Sequence, residues 1–279
     1  MKYLRAAVIV LFLLGIEVYG ASRIGDRLNR DGTIPVITSD REVLEIPCEY
    51  TEDMLTEGLM AYDGSDGDLT DQIMVRSLSH FQEKGVSEVN YVVFDSSNQS
   101  AAFTRPVRFT DYESPRFTLT EPLVFQTGRG GRAMDRIGAV DSVEGDISSL
   151  VIQTGSNINY SEAGDYAIQV EVTNSFGDFQ TAGLPVHIVD SIPSAVRLDL
   201  ASPLIYVGLG GEFDPMTYAP AVAGPEAGAE DAELRAESGV NTMEPGVYEV
   251  RYQAVRPGEN EESAGEVLGE TWMIVIVRE

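Results

Sequence analysis

The sequence predicts an all-β protein in which three tandem β-sandwiches follow one N-terminal hydrophobic helix. Three observations carry this prediction: motifs that recur along the chain, apolar side chains that alternate with polar ones, and turn residues between the alternating stretches. Strict alternation is typical of half-buried antiparallel strands. Short strands separated by frequent turns are typical of β-sandwiches.

The N-terminal stretch has the form of an export signal. Lys2 and Arg5 precede an apolar run from Ala6 to Ile16, and this order of charged and apolar regions is that of a signal sequence. A membrane-spanning helix needs about 20 apolar residues, so the run is short for a span. We therefore expect residues 1–21 to form either a retained signal anchor or a signal peptide that is cleaved near Gly20.

The polar segment SRIGDRLNRDGT, residues 22–33, is predicted to be a stalk between the helix and the first sandwich. Positive charge at the N-terminus favours a cytoplasmic start of the chain. A retained helix would thus give a single-pass membrane protein with its modules outside the cell. Cleavage would instead release the modules as a secreted protein.

The sequence repeats itself at a nearly constant spacing. RPVRFTD (105–111) recurs as LPVHIVD (184–190), and GVSEVNYVVFDSSN (85–98) recurs as GDYAIQVEVTNSFG (164–177). A looser third copy, PGVYEVRYQAV, occupies 245–255. The predicted modules are 34–111, 112–190 and 191–279.

Each repeat contains one stretch with strict period-two alternation, which predicts a strand with one buried face. The side chains expected to face the cores are Val89, Tyr91 and Val93 in the first module, Tyr166, Ile168, Val170 and Val172 in the second, and Tyr248, Val250, Tyr252 and Ala254 in the third.

Two copies of one motif carry a resemblance to a known family. Glu162-x-Gly164-x-Tyr166-x-Ile168 resembles the F-strand signature of immunoglobulin domains, and Glu244-x-Gly246-x-Tyr248-x-Val250 repeats it. With the Asp-Gly-Asp-Leu-Thr string, the repeat is similar to immunoglobulin-like domains of bacterial surface proteins, of the hyalin-repeat and crystal-toxin-associated type.

The resemblance implies an extracellular array in which the motif tyrosine bonds nearby backbone at a sandwich corner. The first module departs from the pattern, because Ser87 stands where the tyrosine is expected. Domains of this type serve as spacers, adhesion modules and carbohydrate-associated accessories, so the resemblance implies no single activity.

The stretch AYDGSDGDLTDQ, residues 61–72, concentrates aspartates and raises the question of a calcium site. Counted from Asp63, the acids do not follow the spacing of an EF-hand loop. The second module keeps only an acid, a Gly-Asp step and an aliphatic residue, which is typical of a turn. We predict a structural turn, with weak calcium binding by Asp63, Asp66 and Asp68 as the alternative.

Three further features are predicted to be plain surface elements. The string GRGGRA, residues 128–133, matches a dinucleotide fingerprint but lacks the helix that should follow it, so it is predicted to be a locally basic loop. Residues 224–239 and 256–270 are predicted to be acidic solvated loops. His187 is predicted to be a surface residue of a strand.

The composition excludes some classes of function. The chain has 45 acidic and 19 basic residues and a net charge of −26, which repels phosphate backbones and argues against nucleic-acid binding. Its single cysteine, Cys48, excludes an intrachain disulfide. The sequence contains no pattern typical of a nucleophile–base pair, a metal cluster or a cofactor site.

The sequence therefore predicts a non-enzymatic cell-surface array with a structural, adhesion or presentation role. Its expected partner is a protein or a glycan at the cell surface, with membrane contact through the N-terminal helix. The alternative is a secreted carbohydrate-binding or enzyme-accessory module.

Overall fold

The protein is described from a computed structural model, which describes residues 12–13, 15–19, 32–193, 196–223, 232–257 and 265–279. The described chain is mostly β structure, and its sheets pair as three sandwiches, so the predicted fold class is confirmed. It divides into two compact units, Met1–Thr110 and Asp111–Glu279. The module boundaries at 111/112 and 190/191 stay predictions.

Part of the N-terminal stretch is described. Residues 12–13 and 15–19 are helical and exposed. Within the described residues, no helix has the length and the apolar character that a membrane span requires. The rest of the anchor or signal peptide predicted over 1–21, and nearly all of the predicted stalk, lie outside the described residues.

The first unit contains one sandwich built from a three-stranded and a four-stranded sheet. Its elements are β1 (Val36–Ser39), β2 (Leu44–Ile46), α1 (Glu52–Thr56), β3 (Leu59–Asp63), β4 (Gly67–Asp68), a 3₁₀ turn (Thr70–Gln72), β5 (Met74–Leu78), β6 (Val86–Phe94) and β7 (Ser100–Phe109). The strand orders are β1-β3-β4 and β2-β7-β6-β5. Strand β2 runs parallel to β7, and the other pairs are antiparallel.

The alternation in β6 determines which face of the large sheet is buried. Val89, Tyr91 and Val93 are buried as predicted, and Ile37 and Ala61 are buried on the small sheet. Removing an aliphatic or aromatic side chain from water contributes about 1.5–3 kcal/mol. The core between the two sheets is thus the main source of stability in this unit.

Helix α1 was not predicted, and a buried arginine holds it in place. Arg105 in β7 is 1% exposed and occupies the register position that Leu184 has in the second unit. Its guanidinium donates to the carbonyls of Leu55 (3.0 Å) and Glu57 (2.9 Å) and to the hydroxyl of Tyr91 (3.2 Å). The cation therefore bonds the C-terminal end of α1 to the core.

The second unit contains two sandwiches. The second sandwich comprises β8 (Arg116–Leu119), β9 (Val124–Gln126), a 3₁₀ turn (Ala133–Arg136), β10 (Ile137–Asp141), β11 (Gly145–Asp146), a 3₁₀ turn (Ser148–Leu150), β12 (Ile152–Ser156), β13 (Gly164–Thr173) and β14 (Phe179–Val189). Its sheets have the orders β11-β10-β8 and β12-β13-β14-β9, with β9 parallel to β14.

The third sandwich comprises β15 (Arg197–Asp199), β16 (Leu204–Gly208), a 3₁₀ turn (Pro215–Tyr218), β17 (Ala221–Ala223), β18 (Glu233–Ser238), β19 (Gly246–Arg256) and β20 (Glu266–Arg278). Its sheets have the orders β15-β17 and β16-β20-β19-β18, with β16 parallel to β20.

The predicted tyrosine corners are present in both sandwiches of the second unit. Tyr166 donates to the carbonyl of Glu162 over 3.1 Å, and Tyr248 donates to that of Glu244 over 3.0 Å. In the first unit the fully buried Ser87 donates instead to the carbonyl of Ser79 over 2.6 Å. The short side chain of Ser87 thus bonds the residue that follows strand β5, whereas a tyrosine would bond a residue four positions earlier in its own segment.

The two sandwiches of the second unit share apolar contacts, because β20 is buried on both faces. Met273 and Val275 point into the core of the third sandwich. Ile274 belongs to the same apolar cluster as Leu184 and Ile188 of the second sandwich.

Two loop predictions for the third module were wrong in part. Glu233–Ser238 is strand β18, because Leu234 and Ala236 pack on the core while Arg235 between them is exposed. The predicted loop 256–270 is shorter, since β20 begins at Glu266. Residues 224–231 and 258–264 lie outside the described residues.

Candidate functional site

The aspartate stretch of the first unit forms a turn between β3 and β4 and then continues into the 3₁₀ turn Thr70–Gln72. The buried Asp63 accepts hydrogen bonds at Oδ1 from the backbone of Ser65 (2.8 Å) and Asp66 (3.1 Å). Asp68 accepts from the backbone of Thr70 over 2.9 Å, and hydrogen bonds from Thr70 lower the pKa of the Asp68 carboxyl. These carboxylates therefore shape local backbone.

The second unit repeats this geometry with different residues. Asp141 accepts from the backbone of Val143 (2.9 Å) and Glu144 (3.0 Å), and Asp146 accepts from that of Ser148 (2.9 Å). In the described part of the chain no group of three His, Cys, Asp or Glu side chains could hold a metal ion. Weak calcium binding by Asp63, Asp66 and Asp68 stays a hypothesis.

One position behind this turn differs between the two units. Asn174 donates from Nδ2 to Asp141 Oδ2 over 3.0 Å and to the hydroxyl of Tyr112 over 2.9 Å. The equivalent residue of the first unit is Asp95, whose buried Oδ2 finds no donor among the described residues. The first unit therefore buries a carboxylate oxygen where the second has an amide donor.

The small sheet of the first unit and the residues just before it expose a set of large apolar side chains, which we call the apolar face. Its members are Ile34 (60% exposed), Val36 (58%), Met60 (66%) and Tyr62 (64%). Val36 and Tyr62 are direct cross-strand partners of β1 and β3. The face lines a depression of about 720 Å³, whose lining also includes Asp68 and two threonines.

The sequence reasoning missed this face because β3 is apolar in both phases. Leu59 and Ala61 point inward, while Met60 and Tyr62 point outward. In the second unit, Arg116 and Val140 form the pair equivalent to Val36 and Tyr62, and the guanidinium of Arg116 lies 5.5 Å from the ring of Tyr206.

The tyrosine in that contact also joins two sandwiches. Tyr206 in β16 accepts a hydrogen bond from the backbone N–H of Phe117 in β8 over 2.7 Å. Burial raises the pKa of the Tyr206 phenol, although the hydrogen bond from Phe117 and two nearby arginines oppose the change. The third sandwich thus contacts the outer edge of the second sandwich's small sheet.

The glycine-rich segment 128–132 is a surface loop, as predicted. It leads into the four-residue 3₁₀ turn Ala133–Arg136 and then into strand β10. A dinucleotide site needs a longer helix at this point, so the fingerprint match has no structural counterpart.

The prediction that His187 is a plain surface residue was wrong. Its side chain is 13% exposed, with Nδ1 2.7 Å from Asp165 and Nε2 2.6 Å from Glu249. Its ring stacks on Trp272 at 4.9 Å. Burial lowers the pKa of His187, but the two carboxylates more than offset this, so the pKa is raised.

No local pattern could have revealed this site. Period-two alternation places His187 on the outer face of β14, where side chains of the next sandwich cover it. Glu249 comes from β19 and Trp272 from β20, and neither is near His187 in sequence.

The fold defines a protein of tandem immunoglobulin-like β-sandwiches. No protein-family model matches the chain. The chain is similar to the pesticidal crystal protein Cry22Aa of Bacillus thuringiensis, with 32% identity over 124 residues. This match covers 43% of the chain and 17% of that protein, and it agrees with the crystal-toxin-associated resemblance of the repeat.

Two solved structures are similar at low sequence identity. One contains the CBM51-2 domain, in complex with GlcNAc, and INT domains of Clostridium perfringens ZmpB: 15% identity, TM-score 0.23, and coverage of 88% of this chain and 42% of that one. The other is the extracellular domain of protocadherin γB4: 13% identity, TM-score 0.21, and coverage of 90% and 50%. TM-scores of this size assign no function.

Proposed function

We propose that this chain is a non-enzymatic binding module of the cell surface, and that it adheres to a protein or glycan partner through the apolar face of its first unit. The single observation behind the proposal is that Ile34, Val36, Met60 and Tyr62 lie together and are all more than half exposed.

The energetic basis is the exposure of these side chains to water. Contiguous apolar patches are uncommon on soluble proteins and mark interaction sites, whereas single exposed apolar residues are ordinary. Each buried square ångström of apolar surface contributes roughly 25 cal/mol. A partner that covers Tyr62 and Met60 would gain the largest part of this energy.

The charge beside the apolar face supports a binding role. The carboxylate there, Asp68, accepts a backbone hydrogen bond from Thr70, and its lowered pKa keeps it ionised at neutral pH. An ionised carboxylate accepts hydrogen bonds, so Asp68 can bind hydroxyl or N–H groups of a partner.

The glycan form of the proposal has one observation in its favour. The exposed ring of Tyr62 shares its depression with Thr33, Thr38 and Asp68. An aromatic ring offers an apolar surface with a polar end, and neighbouring hydroxyl and carboxylate groups can bond sugar hydroxyls. A purely apolar partner would gain nothing from these polar groups.

The test compares the full chain with two double variants on a glycan array and on a panel of purified matrix and cell-wall proteins. Met60→Ser with Tyr62→Ser removes the centre of the apolar face. Ile152→Ser with Phe179→Ser removes two side chains of similar exposure, 52% and 59%, from the second unit. We expect the first variant to lose at least about tenfold in affinity, equivalent to 1.4 kcal/mol.

The control variant should keep the affinity of the unaltered chain. The apolar face would be rejected as the binding site if the unaltered chain and the Met60→Ser, Tyr62→Ser variant bound every partner found with equal affinity. Equal losses in both variants would show nonspecific adhesion through exposed apolar groups.

We also propose that the modules act outside the cell. The support is the order of Lys2, Arg5 and the apolar run that follows, which has the form of an export signal. Fractionation of a C-terminally tagged chain tests this. A full-length band in the membrane fraction that external protease removes indicates an anchor, and a shorter band in the medium beginning near Ala21 indicates secretion. Retention in the cytoplasm would reject the proposal.

A further inference from the structure

The loop 128–132 carries two arginine side chains that form no ion pair within the described residues. The chain has 45 acidic residues for 19 basic ones, and most described arginines are ion-paired. The described cationic side chains with neither an ion pair nor a hydrogen bond are Arg76, Lys84, Arg108, Arg129 and Arg132. Two of these lie in one loop, three positions apart.

Tyr160 holds the two ends of this loop. Its carbonyl accepts from the N–H of Gly128 over 3.0 Å, and its hydroxyl accepts from the N–H of Ala133 over 2.9 Å. The N–H of Arg129 also donates to the carbonyl of Gln126 over 3.1 Å. The loop is therefore fixed at both ends while residues 128–132 stay exposed.

The loop's backbone requires glycine. Gly128, Gly130 and Gly131 have φ values of 68°, 73° and 121°, which side chains with a Cβ atom adopt rarely. A Cβ atom on Gly131 would lie 3.0 Å from the ring of Phe125. Glycine at position 131 thus allows the loop backbone to lie close to this ring.

This conformation leaves successive backbone donors without partners. The N–H groups of Gly130, Gly131 and Arg132 make no hydrogen bond within the described residues. Successive backbone N–H groups in a turn conformation form concave sites that bind anions. Guanidinium groups bond the oxygens of carboxylates and sulfates in pairs.

We propose that the loop 128–132 binds an oxyanion, the carboxylate or sulfate of an acidic saccharide, through the guanidinium groups of Arg129 and Arg132 and the N–H groups of Gly130 and Gly131. This site lies in the second unit and does not depend on the apolar face.

Two observations favour a saccharide over an extended acidic peptide. A peptide could pair with the edge strand β9, but Arg136 donates to the carbonyls of Pro122 and Val124 there and occupies that edge. The loop itself presents no large apolar side chain for a peptide to cover. The protein's net charge of −26 also repels a densely charged acidic ligand. A saccharide with one acidic group for every one or two sugar rings is therefore expected to bind best.

The experiment follows backbone amide shifts by NMR in the full chain during titration with four hexameric probes at low ionic strength. A hyaluronan oligosaccharide carries carboxylates, a chondroitin 4-sulfate oligosaccharide carries sulfates as well, a chitin oligosaccharide is neutral, and hexaglutamate is the peptide rival. We expect the amides of Gly130, Gly131 and Arg132 to shift with an acidic saccharide and not with the neutral one. Stronger shifts with the chondroitin probe identify sulfate as the preferred group, and equal shifts identify carboxylate.

The matched variants separate a site from general attraction between charges. Arg129→Gln with Arg132→Gln should weaken binding at least about tenfold, as expected when a charged hydrogen bond is lost. Arg76→Gln with Arg108→Gln removes the same charge from unpaired arginines of the first unit and should change affinity less than about twofold.

Three results would overturn the proposal: no shift at the loop with either acidic saccharide, equal weakening by both double variants, or hexaglutamate binding as tightly as the saccharides. Both variants should melt at the same temperature as the unaltered chain, since none of these side chains forms an ion pair or a hydrogen bond within the described residues. A loss of binding by Arg129→Gln with Arg132→Gln is then a loss of recognition.

Discussion

Nε2 of His187 in the second sandwich lies 2.6 Å from Oε1 of Glu249 in the third. Nδ1 of the same ring lies 2.7 Å from Oδ1 of Asp165. Two carboxylate acceptors require two N–H donors, and only the protonated imidazole has both. The contact is therefore an ionic bridge between the sandwiches, with Trp272 stacked on the ring.

This bridge predicts that the stability of the second unit depends on pH. The pKa of His187 is raised in the folded chain, so its contribution is complete below the unfolded value of about 6.5. It is lost as pH rises through the folded pKa. We expect the free energy of unfolding to fall above pH 6.5, and His187→Gln to abolish this part of the decrease.

The fluorescence of Trp272, the chain's single tryptophan, reports unfolding of this unit in urea. His80→Gln is the control, because His80 is exposed and lies in the first unit. The same pH dependence in the chain and in His187→Gln would show that the bridge does not contribute.

Replacing Asp95 by asparagine should stabilise the first unit. It would supply an amide donor beside the turn, as Asn174 does for Asp141 in the second unit, in place of a buried oxygen without a donor. The expected gain is about 1–2 kcal/mol. The rate at which a thiol reagent labels the buried Cys48 measures the opening of this unit.

The reverse change tests the same reasoning in the second unit. Asn174→Asp should destabilise it by about 1–3 kcal/mol, because the donor to Asp141 is lost. Two results together would contradict the assigned role of this position. They are an unchanged rate of Cys48 labelling in Asp95→Asn and an unchanged urea midpoint in Asn174→Asp.

Arg105→Leu should destabilise the first unit although leucine is the residue at the equivalent position of the second. The carbonyls of Leu55 and Glu57 would lose their donor, at an expected cost of about 3 kcal/mol or more. Labelling of Cys48 should accelerate accordingly. Arg108→Leu, on the exposed face of the same strand, should change the rate little, and equal effects would refute the role of α1.

Calcium should change the stability of the first unit little. Asp63 and Asp68 accept backbone hydrogen bonds within the turn, and Asp66 accepts one from the N–H of Ser96, so the ion would compete with these bonds. A site saturated at a hundredfold excess over its Kd would add about 2.7 kcal/mol. Calorimetry in millimolar calcium and in EDTA tests this prediction by comparing the two melting temperatures. A melting temperature about ten degrees higher in calcium would establish a site.

The features that sequence predicted correctly depend on neighbours along the chain. The buried face of β13 follows from alternation, and the corner of Tyr166 depends on Glu162, four residues earlier. Turn geometry at Asp63 is equally local. Each of these features recurs in at least one other repeat, because it needs no distant partner.

The features that sequence missed depend on distant residues. His187 is covered by Glu249 of another sandwich, and α1 is held by Arg105 from a strand far along the chain. The outward position of Tyr62 follows from pairing, but its exposure follows from the absence of a covering element among the described residues. One sequence contains no signal for these relationships.

The parallel pairs of strands have a mechanical consequence. In every sandwich the last strand runs parallel to an early one: β7 to β2, β14 to β9, and β20 to β16. Tension along the chain enters such a pair through opposite ends and slides one strand past the other. All hydrogen bonds of the pair then bear the load together, in shear, and must break at once. A chain stretched between two attachments would resist extension at these three points.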